Sequence, residues 1–322
     1  MQLLALALTA ATLLLPATPL HAQTGYPNRP IRLIVPYPPG AGTDIIARTV
    51  GQRLGETLGQ QIVVDNRGGG GGVIGADAGA KAPPDGYTMV LVTSTFAMTP
   101  ALQKPPYDPV RDFTPLILLA AVPNILVVHP ALPAHSLQEL LALARARPGE
   151  LSYATSGTGT VSHLLTEWLR SLVGGIKLVH VPYKGNAQAL TDLLGGHVSS
   201  MFSALPSAMP HLASGRVRPL AITSRARSAA VPQVPTFIEA GVPDFVFSSE
   251  FGLLLPARTP RDIVTLLNRE IVKILRLPDV RERLAAQGAE PVGNTPEEYA
   301  ASVKADLARW AKIVKTANIR AE

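Results

Sequence analysis

Cysteine is absent from all 322 residues, and that one absence removes a disulfide frame, a thiol nucleophile, a thiolate metal site and a lipid-attachment cysteine. Charge is also scarce, with 16% of positions Asp, Glu, Lys or Arg. No Lys/Arg run is interleaved with aromatics, so the net charge of +6 reads as mild attraction for anionic ligands, and no nucleic-acid partner is expected. Catalytic signatures are missing too. There is no Gly-x-Ser-x-Gly elbow, no His-Glu-x-x-His helix and no phosphate loop ending in Gly-Lys-Ser/Thr.

Leu3–Leu15 form an apolar stretch too short to span a bilayer with ease, and no other segment is apolar enough to cross a membrane. Pro16, Pro19 and the small-residue ending Leu20-His21-Ala22 follow. The pattern predicts a cleaved secretory signal over residues 1–22 and a soluble exported protein, although Met1-Gln2 carry no basic charge.

With 47% of positions hydrophobic, the chain is large enough for one sizeable core or two smaller ones, and two domains are expected. Its organising stretch is Ile31 to Asp44, a buried strand that breaks into a tight loop and then a helix. Thr43 or Asp44 is the expected N-cap, and Ile45, Ile46, Val50, Leu54 and Leu58 form the stripe facing the core. The first turn of such a helix has backbone N–H groups without intrahelical partners and a partial positive charge, a setting for an anion. Gly40 and Gly42 clear the approach of Cβ atoms.

The plan recurs. Leu151–Thr155 reads as a strand, Ser156-Gly157-Thr158-Gly159-Thr160 as a loop, and a helix carries Leu164, Leu165, Trp168, Leu169 and Leu172. Lys177–Val181, the loop Pro182–Asn186 and the helix Ala187–Leu194 repeat it. Such alternation specifies a largely parallel α/β sheet whose ligands sit outside the carboxyl ends of the strands. Gln61–Asp65, Thr88–Thr93 and Arg218–Thr223 add strands, and the Ser94-Thr95 end of the second supplies hydroxyl donors. Leu116–Val128 and Pro243–Pro256 read as extended crossings between domains. Helices are expected at Ser136–Arg147, with Ser136 and Glu139 as a capping box, at Thr236–Ala240, Arg261–Leu277, Val280–Gln287 and Pro296–Ala317.

Three further patterns point to chemistry. Glycines 70, 72 and 75 spell Gly-x-Gly-x-x-Gly, yet the next strand ends in Ser94 and Thr95 where a dinucleotide site needs an acid, so a mobile or close-packed loop is the better reading. Ser156 and His163 lie near one helix start without a third carboxylate, and His163 with Glu167 is too little for zinc. Lys184 offers either a point charge to a ligand or a solvent-facing brace.

The motifs Tyr26-Pro-x-Arg-Pro-Ile-Arg-Leu-Ile-Val-Pro-Tyr-Pro-Pro-Gly with Asp44, Asp65-Asn66-Arg67, Pro84-Asp85-Gly86-Tyr87, Ser156-Gly157-x-Gly159 with His163-Leu164, and His180-Val181-Pro182-Tyr183-Lys184-Gly185 resemble the Bug family. These are the extracytoplasmic solute receptors of tripartite tricarboxylate transporters. The likeness continues through Leu193-Leu194-Gly195-Gly196, Val234-Pro235-Thr236 with Glu239-Ala240-Gly241, and Pro256 with Thr259-Pro260. It covers nearly the whole chain after the signal.

The resemblance implies a type II-like periplasmic binding protein, α/β and two-lobed, with mostly parallel sheets, flanking helices and two interdomain crossings. One lobe is residues 23–123 and 243–322, the other 124–242. A ligand carboxylate is held, partly through water, by Tyr37, Gly40, Ala41, Gly42, Thr43 and Asp44 on one side, and by Ser156, Gly157, Thr158, Gly159 and Thr160 on the other. Ser94, Thr95, His163, Tyr183, Lys184 and Ser203 complete the candidate lining. Ser203 stands where the family often has Asp, and Glu250 or Phe251 where it often has Trp.

The function so implied is capture of a small carboxylate and its delivery to integral-membrane transporter subunits by a monomer, without cofactor, metal or catalysis. The alternatives are a ligand-presenting partner of a sensor protein, a secreted hydrolase and a dinucleotide-dependent enzyme.

Overall fold

One long strand pairs with strands of both halves of the molecule, and a second, antiparallel to it, carries the chain back. The computed structural model describes residues 25–40, 42–316 and 318–319; the expected signal segment and Ala41 lie outside these. The first half carries β1 (Ile31–Val35), α1 (Gly42–Leu58), β2 (Ile62–Asn66), α2 (Val73–Ala80), β3 (Thr88–Thr93) and α3 (Thr95–Leu102). The long strand β4 (Phe113–Val128) leads to α4 (Leu137–Ala146), β5 (Ser152–Thr155), α5 (Val161–Val173), β6 (Val179–Pro182), α6 (Asn186–Leu194), β7 (Ser200–Ala204), α7 (Leu205–Ala213) and β8 (Arg218–Ile222). The chain returns through β9 (Ser248–Pro256) to α8 (Arg261–Leu275), α9 (Pro278–Ala286), β10 (Glu290–Pro291) and α10 (Pro296–Thr316).

The strand order β2-β1-β3-β9-β4-β7-β5-β6, with β8 and β10 also on β4, makes a mixed α/β sheet with one arm on either side of β9 and β4. The expected parallel pairing holds inside each arm, between β1 and its neighbours β2 and β3 and between β5 and its neighbours β6 and β7. The crossing strands β4 and β9 run antiparallel to each other and to their flanking neighbours. β4 runs unbroken through Pro123 and Asn124. It pairs with β9 as far as Pro123, opposite Ser248, and from Asn124 onward with β7 and β8.

At this change of partner Thr223 takes over the hydrogen bonds. Its hydroxyl accepts from Asn124 N (2.9 Å) and donates to Phe247 O (2.6 Å), while Asn124 Nδ2 donates to Ser249 Oγ (2.9 Å). Both crossings are thereby joined to the end of β8.

Packing follows the apolar patterns. In α1, Ile46, Ala47, Val50 and Leu54 enter a core with Leu33, Leu91 and, from α8, Leu267 and Ile271; Ile45, expected in that stripe, is 36% exposed. In α5, Leu164, Leu165, Trp168 and Leu169 pack with Phe202, Phe237 and Phe245, and Leu172 is exposed. The last helix serves both halves: Tyr299 and Val303 pack with Val90 and Phe96, whereas Trp310, Ile313 and Val314 pack with the α5 cluster. Half of the predicted capping box of α4 forms: Ser136 Oγ accepts from Glu139 N (3.2 Å), whereas the Glu139 carboxylate reaches one residue further back and accepts from His135 N (2.7 Å).

The helix expected at Thr236–Ala240 does not form. Phe237 N donates to Ile222 O and Ile222 N to Pro235 O, tying its start to β8, and Gly241 at φ 82° turns the chain after the single bond Ala240 N to Thr236 O. α3 and the pair β7–α7 have no counterpart in the sequence reading. Among the described residues no helix is long and apolar enough to cross a membrane.

Candidate functional site

Loops from the two halves meet where hydroxyl and glycine residues cluster. A cavity of about 260 Å³ is lined by Gly70, Gly71, Thr95, Thr99, Leu102 and Gln103 on one side and by Thr158, Gly159 and Thr160 on the other. Among the described residues no lining side chain is charged, so an anion there meets hydroxyls, amides and helix N-termini. Thr160 is the N-cap of α5 and Ser94 that of α3, and the turn at Gly70–Gly72 runs into α2. Three helix starts therefore open toward one volume, each with the partial positive charge of unpartnered N–H groups.

Glycine is required at the contact between the halves. At φ 77° Gly159 occupies the left-handed region, and a Cβ there would stand 2.9 Å from Leu102 Cδ1. A second close approach is Gly288, whose Cβ would stand 2.4 Å from Pro206 Cγ.

The structure brings four of the sequence-predicted residues, Thr95, Thr158, Gly159 and Thr160, onto this cavity. Tyr37 lies one bond away, its hydroxyl 2.8 Å from Thr95 Oγ1 and 2.6 Å from Thr93 Oγ1. Burial raises its pKa, against the lowering effect of those two hydrogen bonds. Gly157 and Ser156 shape the loop: Gly157 O accepts from Thr160 Oγ1 (2.6 Å), and Ser156 N donates to Ser162 Oγ (3.0 Å).

Other predicted residues have different employment. Helix α1 begins at Gly42, and Asp44 folds back on the loop before it, accepting from Gly40 N (2.9 Å), Arg48 Nε (2.9 Å) and Asn66 Nδ2 (2.9 Å). Burial pushes the Asp44 carboxyl up, but the bonds from Arg48, Gly40 and Asn66 prevail and hold it below the ordinary carboxylate range. The anion at this helix start is thus the chain's own. Gly40 and Gly42 remain exposed and Thr43 is buried, and none of the three lines the 260 Å³ cavity.

Ser94 is buried and its hydroxyl accepts from Glu250 N (2.8 Å), a link between β3 and β9. Ser203, 1% exposed, is interior on β7. Tyr183 donates to Asp192 (2.6 Å), with its pKa pushed up to about 12 by burial and then by that carboxylate. Lys184 is exposed, in keeping with the solvent-facing reading.

Nor do Ser156 and His163 form a nucleophile–base pair: Ser156 Oγ is 3.3 Å from Ser162 Oγ, and His163 Nδ1 accepts from Gly159 N (3.0 Å). Glu250, at the second departure from the family pattern, faces Asp306 and Arg309 on α10. Burial and then Asp306 push it up to about 7. Phe251 packs on the other side of β9, against the same core as Tyr37 and Ala204.

Gly70 and Gly71 belong to the site and were read as part of a loop without a ligand. Their signal was the glycine run itself: residues 69–72 all have positive φ directly before a helix. Thr99, Leu102 and Gln103 were missed with α3. A volume of about 260 Å³ suits a small molecule and is tight for a dinucleotide.

Comparison with known proteins agrees with this fold. The family model described as "Tripartite tricarboxylate transporter family receptor" (TctC) matches residues 46–319. Protein BugT of Bordetella pertussis is 43% identical, over 93% of this chain and 92% of its own length. Among solved structures, Rpa4515 of R. palustris with adipate superposes with a TM-score of 0.81 at 41% identity, covering 92% of this chain and 99% of that one. MatC (Rpa3494) of Rhodopseudomonas palustris with bound malate gives a TM-score of 0.75 at 33% identity, covering 90% and 100%. The chain belongs to the TctC family of tripartite tricarboxylate transporter receptors and is a Bug-type periplasmic solute-binding receptor.

Proposed function

We propose that this receptor captures a small carboxylate between its two lobes and delivers it to the integral-membrane subunits of a tripartite tricarboxylate-type transporter. The observation that carries the reading is the cavity with Thr95 and the glycines 70 and 71 on one wall and Thr158–Thr160 on the other, with no charged side chain among its described lining residues. Fixed N–H dipoles and hydroxyls replace a salt bridge there, so the acid is held without a counter-ion and can leave again. The printed ligands of two relatives, adipate and malate, belong to the same chemical class.

The lobes are residues 23–123 with 243–322, and 124–242. Trp310, Ile313 and Val314 at the end of α10 lean on the second lobe. The receptor acts as an exported monomer after loss of residues 1–22, and it returns its ligand unchanged.

The test is a thermal-shift screen of mono-, di- and tricarboxylates, aromatic acids and acidic amino acids, followed by mass spectrometry of the acid recovered from the protein. A ligand at 100 times its Kd adds about 2.7 kcal/mol of stability. The expected result is a raised Tm with at least one small acid, recovered intact. No shift with any acid, or a chemically altered acid, contradicts the proposal.

A further inference from the structure

Beneath the loop Ser156–Thr160 two imidazoles lie face to face. The rings of His163 on α5 and His180 on β6 have centres 4.3 Å apart and planes 3° from parallel, and Tyr153 of β5 continues the stack on His180 at 4.9 Å. Each imidazole reaches one arm of the loop. His163 Nδ1 accepts from Gly159 N at 3.0 Å. His180 Nε2 is 2.8 Å from Thr155 Oγ1, which itself lies 3.3 Å from both the amide and the carbonyl of Gly157. The two glycines so gripped hold φ 130° and 77°, and they flank Thr158.

A backbone amide can only donate, so His163 Nδ1 carries its lone pair in this arrangement and the ring proton sits on Nε2. A proton added at Nδ1 would set donor against donor, and the new charge would face the parallel ring of His180. The charged and titratable side chains placed beside the stack include Tyr153, which donates to Glu167, and Arg170, which holds Glu167 at 2.6 and 2.7 Å. His163 is 7% exposed, so its effect on a ligand passes through Gly159.

We propose that His163 and His180 are positioning residues of the anion-holding loop, and that protonation of His163 at Nδ1 releases Gly159 and loosens the loop's hold on the ligand. The ligand part of this proposal rests on the carboxylate reading above. Histidine is the side chain that ordinarily changes charge in the mildly acidic range, so ligand release is tied to acidity.

The test is adipate affinity by calorimetry from about pH 8 to about pH 6 in the wild type, His163→Asn and His163→Leu. Asn places an oxygen acceptor near the Nδ1 position and does not titrate; Leu removes the acceptor. The wild type should lose about tenfold in affinity across that range. His163→Leu should be about tenfold weaker than the wild type at the upper pH. His163→Asn should be weakened less and keep only the pH dependence of the ligand's own titration, which is the same for all three. An Asn variant that follows the wild-type profile, or a wild type that tightens on acidification, overturns the proposal. The amide resonance of Gly159 in the ligand-free protein gives a second readout: it should titrate together with the His163 ring in the wild type and stay fixed in His163→Asn. If adipate does not bind the wild type at all, the carboxylate reading fails for that acid, and the Gly159 resonance still decides the histidine proposal, overturning it if it does not move.

Discussion

Gly159 and Leu102 come so close that a Cβ on the glycine would stand 2.9 Å from the leucine Cδ1. The left-handed φ of 77° and the approach of the Leu102 methyl both disfavour a side chain at residue 159, where the loop after β5 seats against the end of α3. Gly159→Ala meets two penalties, the left-handed φ of 77° and the clash with Leu102, together about 1 to 3 kcal/mol. Binding of a carboxylate should weaken about tenfold or more. The double variant with Leu102→Ala should recover the steric part and leave the backbone part. A calorimetric double-mutant cycle measures this, and Gly159→Ala binding like wild type would mean that the loop does not need to reach α3.

Thr223 is the second joint. Its hydroxyl accepts from Asn124 N and donates to Phe247 O, so Thr223→Val leaves a buried donor and a buried acceptor without partners where the crossings enter the second arm. The expected loss is about 2 to 4 kcal/mol, read as a lower urea midpoint at unchanged slope. A midpoint within error of wild type would show that water or a neighbouring group takes over both bonds.

Glu250 predicts a pH effect of definite sign. Its carboxyl is pushed up to about 7 by burial and by Asp306, against Arg309. An acid whose folded pKa lies above its unfolded value binds more protons when folded, so stability falls as pH rises from the unfolded value, about 4.5, through the folded one. Asp306, also raised by burial, acts in the same direction. Glu250→Gln should therefore be stabilised relative to wild type by about 1 to 2 kcal/mol near pH 8 and be nearly neutral near pH 5. Urea titrations at the two pH values test it; a difference that grows on acidification would reverse the assignment.

Much of this architecture is visible in the chain before any coordinates. Strand, glycine loop and helix recur at Ile31, Leu151 and Lys177, and the structure places β1–α1, β5–α5 and β6–α6 there. The crossings were visible as apolar runs because both are buried along most of their length. What the sequence concealed has physical causes. α3 contains Pro100 and only eight residues, so neither propensity nor period marks it. β7 is framed by serines and has no alternation, since every position from Ser200 to Ser203 is buried. Thr236–Ala240 has a helix's capping box, with Thr236 and Glu239 exchanging bonds at 2.8 and 3.1 Å, yet pairing with Ile222 stops it after one turn.

Within the site, the loop Ser156–Thr160 could be found because glycines alternate with hydroxyl residues at a helix start. The loop Gly40–Asp44 shows the same signature, but there Asp44 supplies the anion itself. Local pattern identifies a place for an anion, and the tertiary structure decides whether the chain or a ligand fills it.

The most direct measurement is a crystal structure of the protein grown with the acid that raises its Tm most. The account predicts that acid between Thr95 and the loop Thr158–Thr160, with carboxylate oxygens about 2.7 to 3.1 Å from loop N–H and hydroxyl donors and no lysine or arginine in direct contact. An acid bound away from that loop, or paired directly with Lys184, would contradict it.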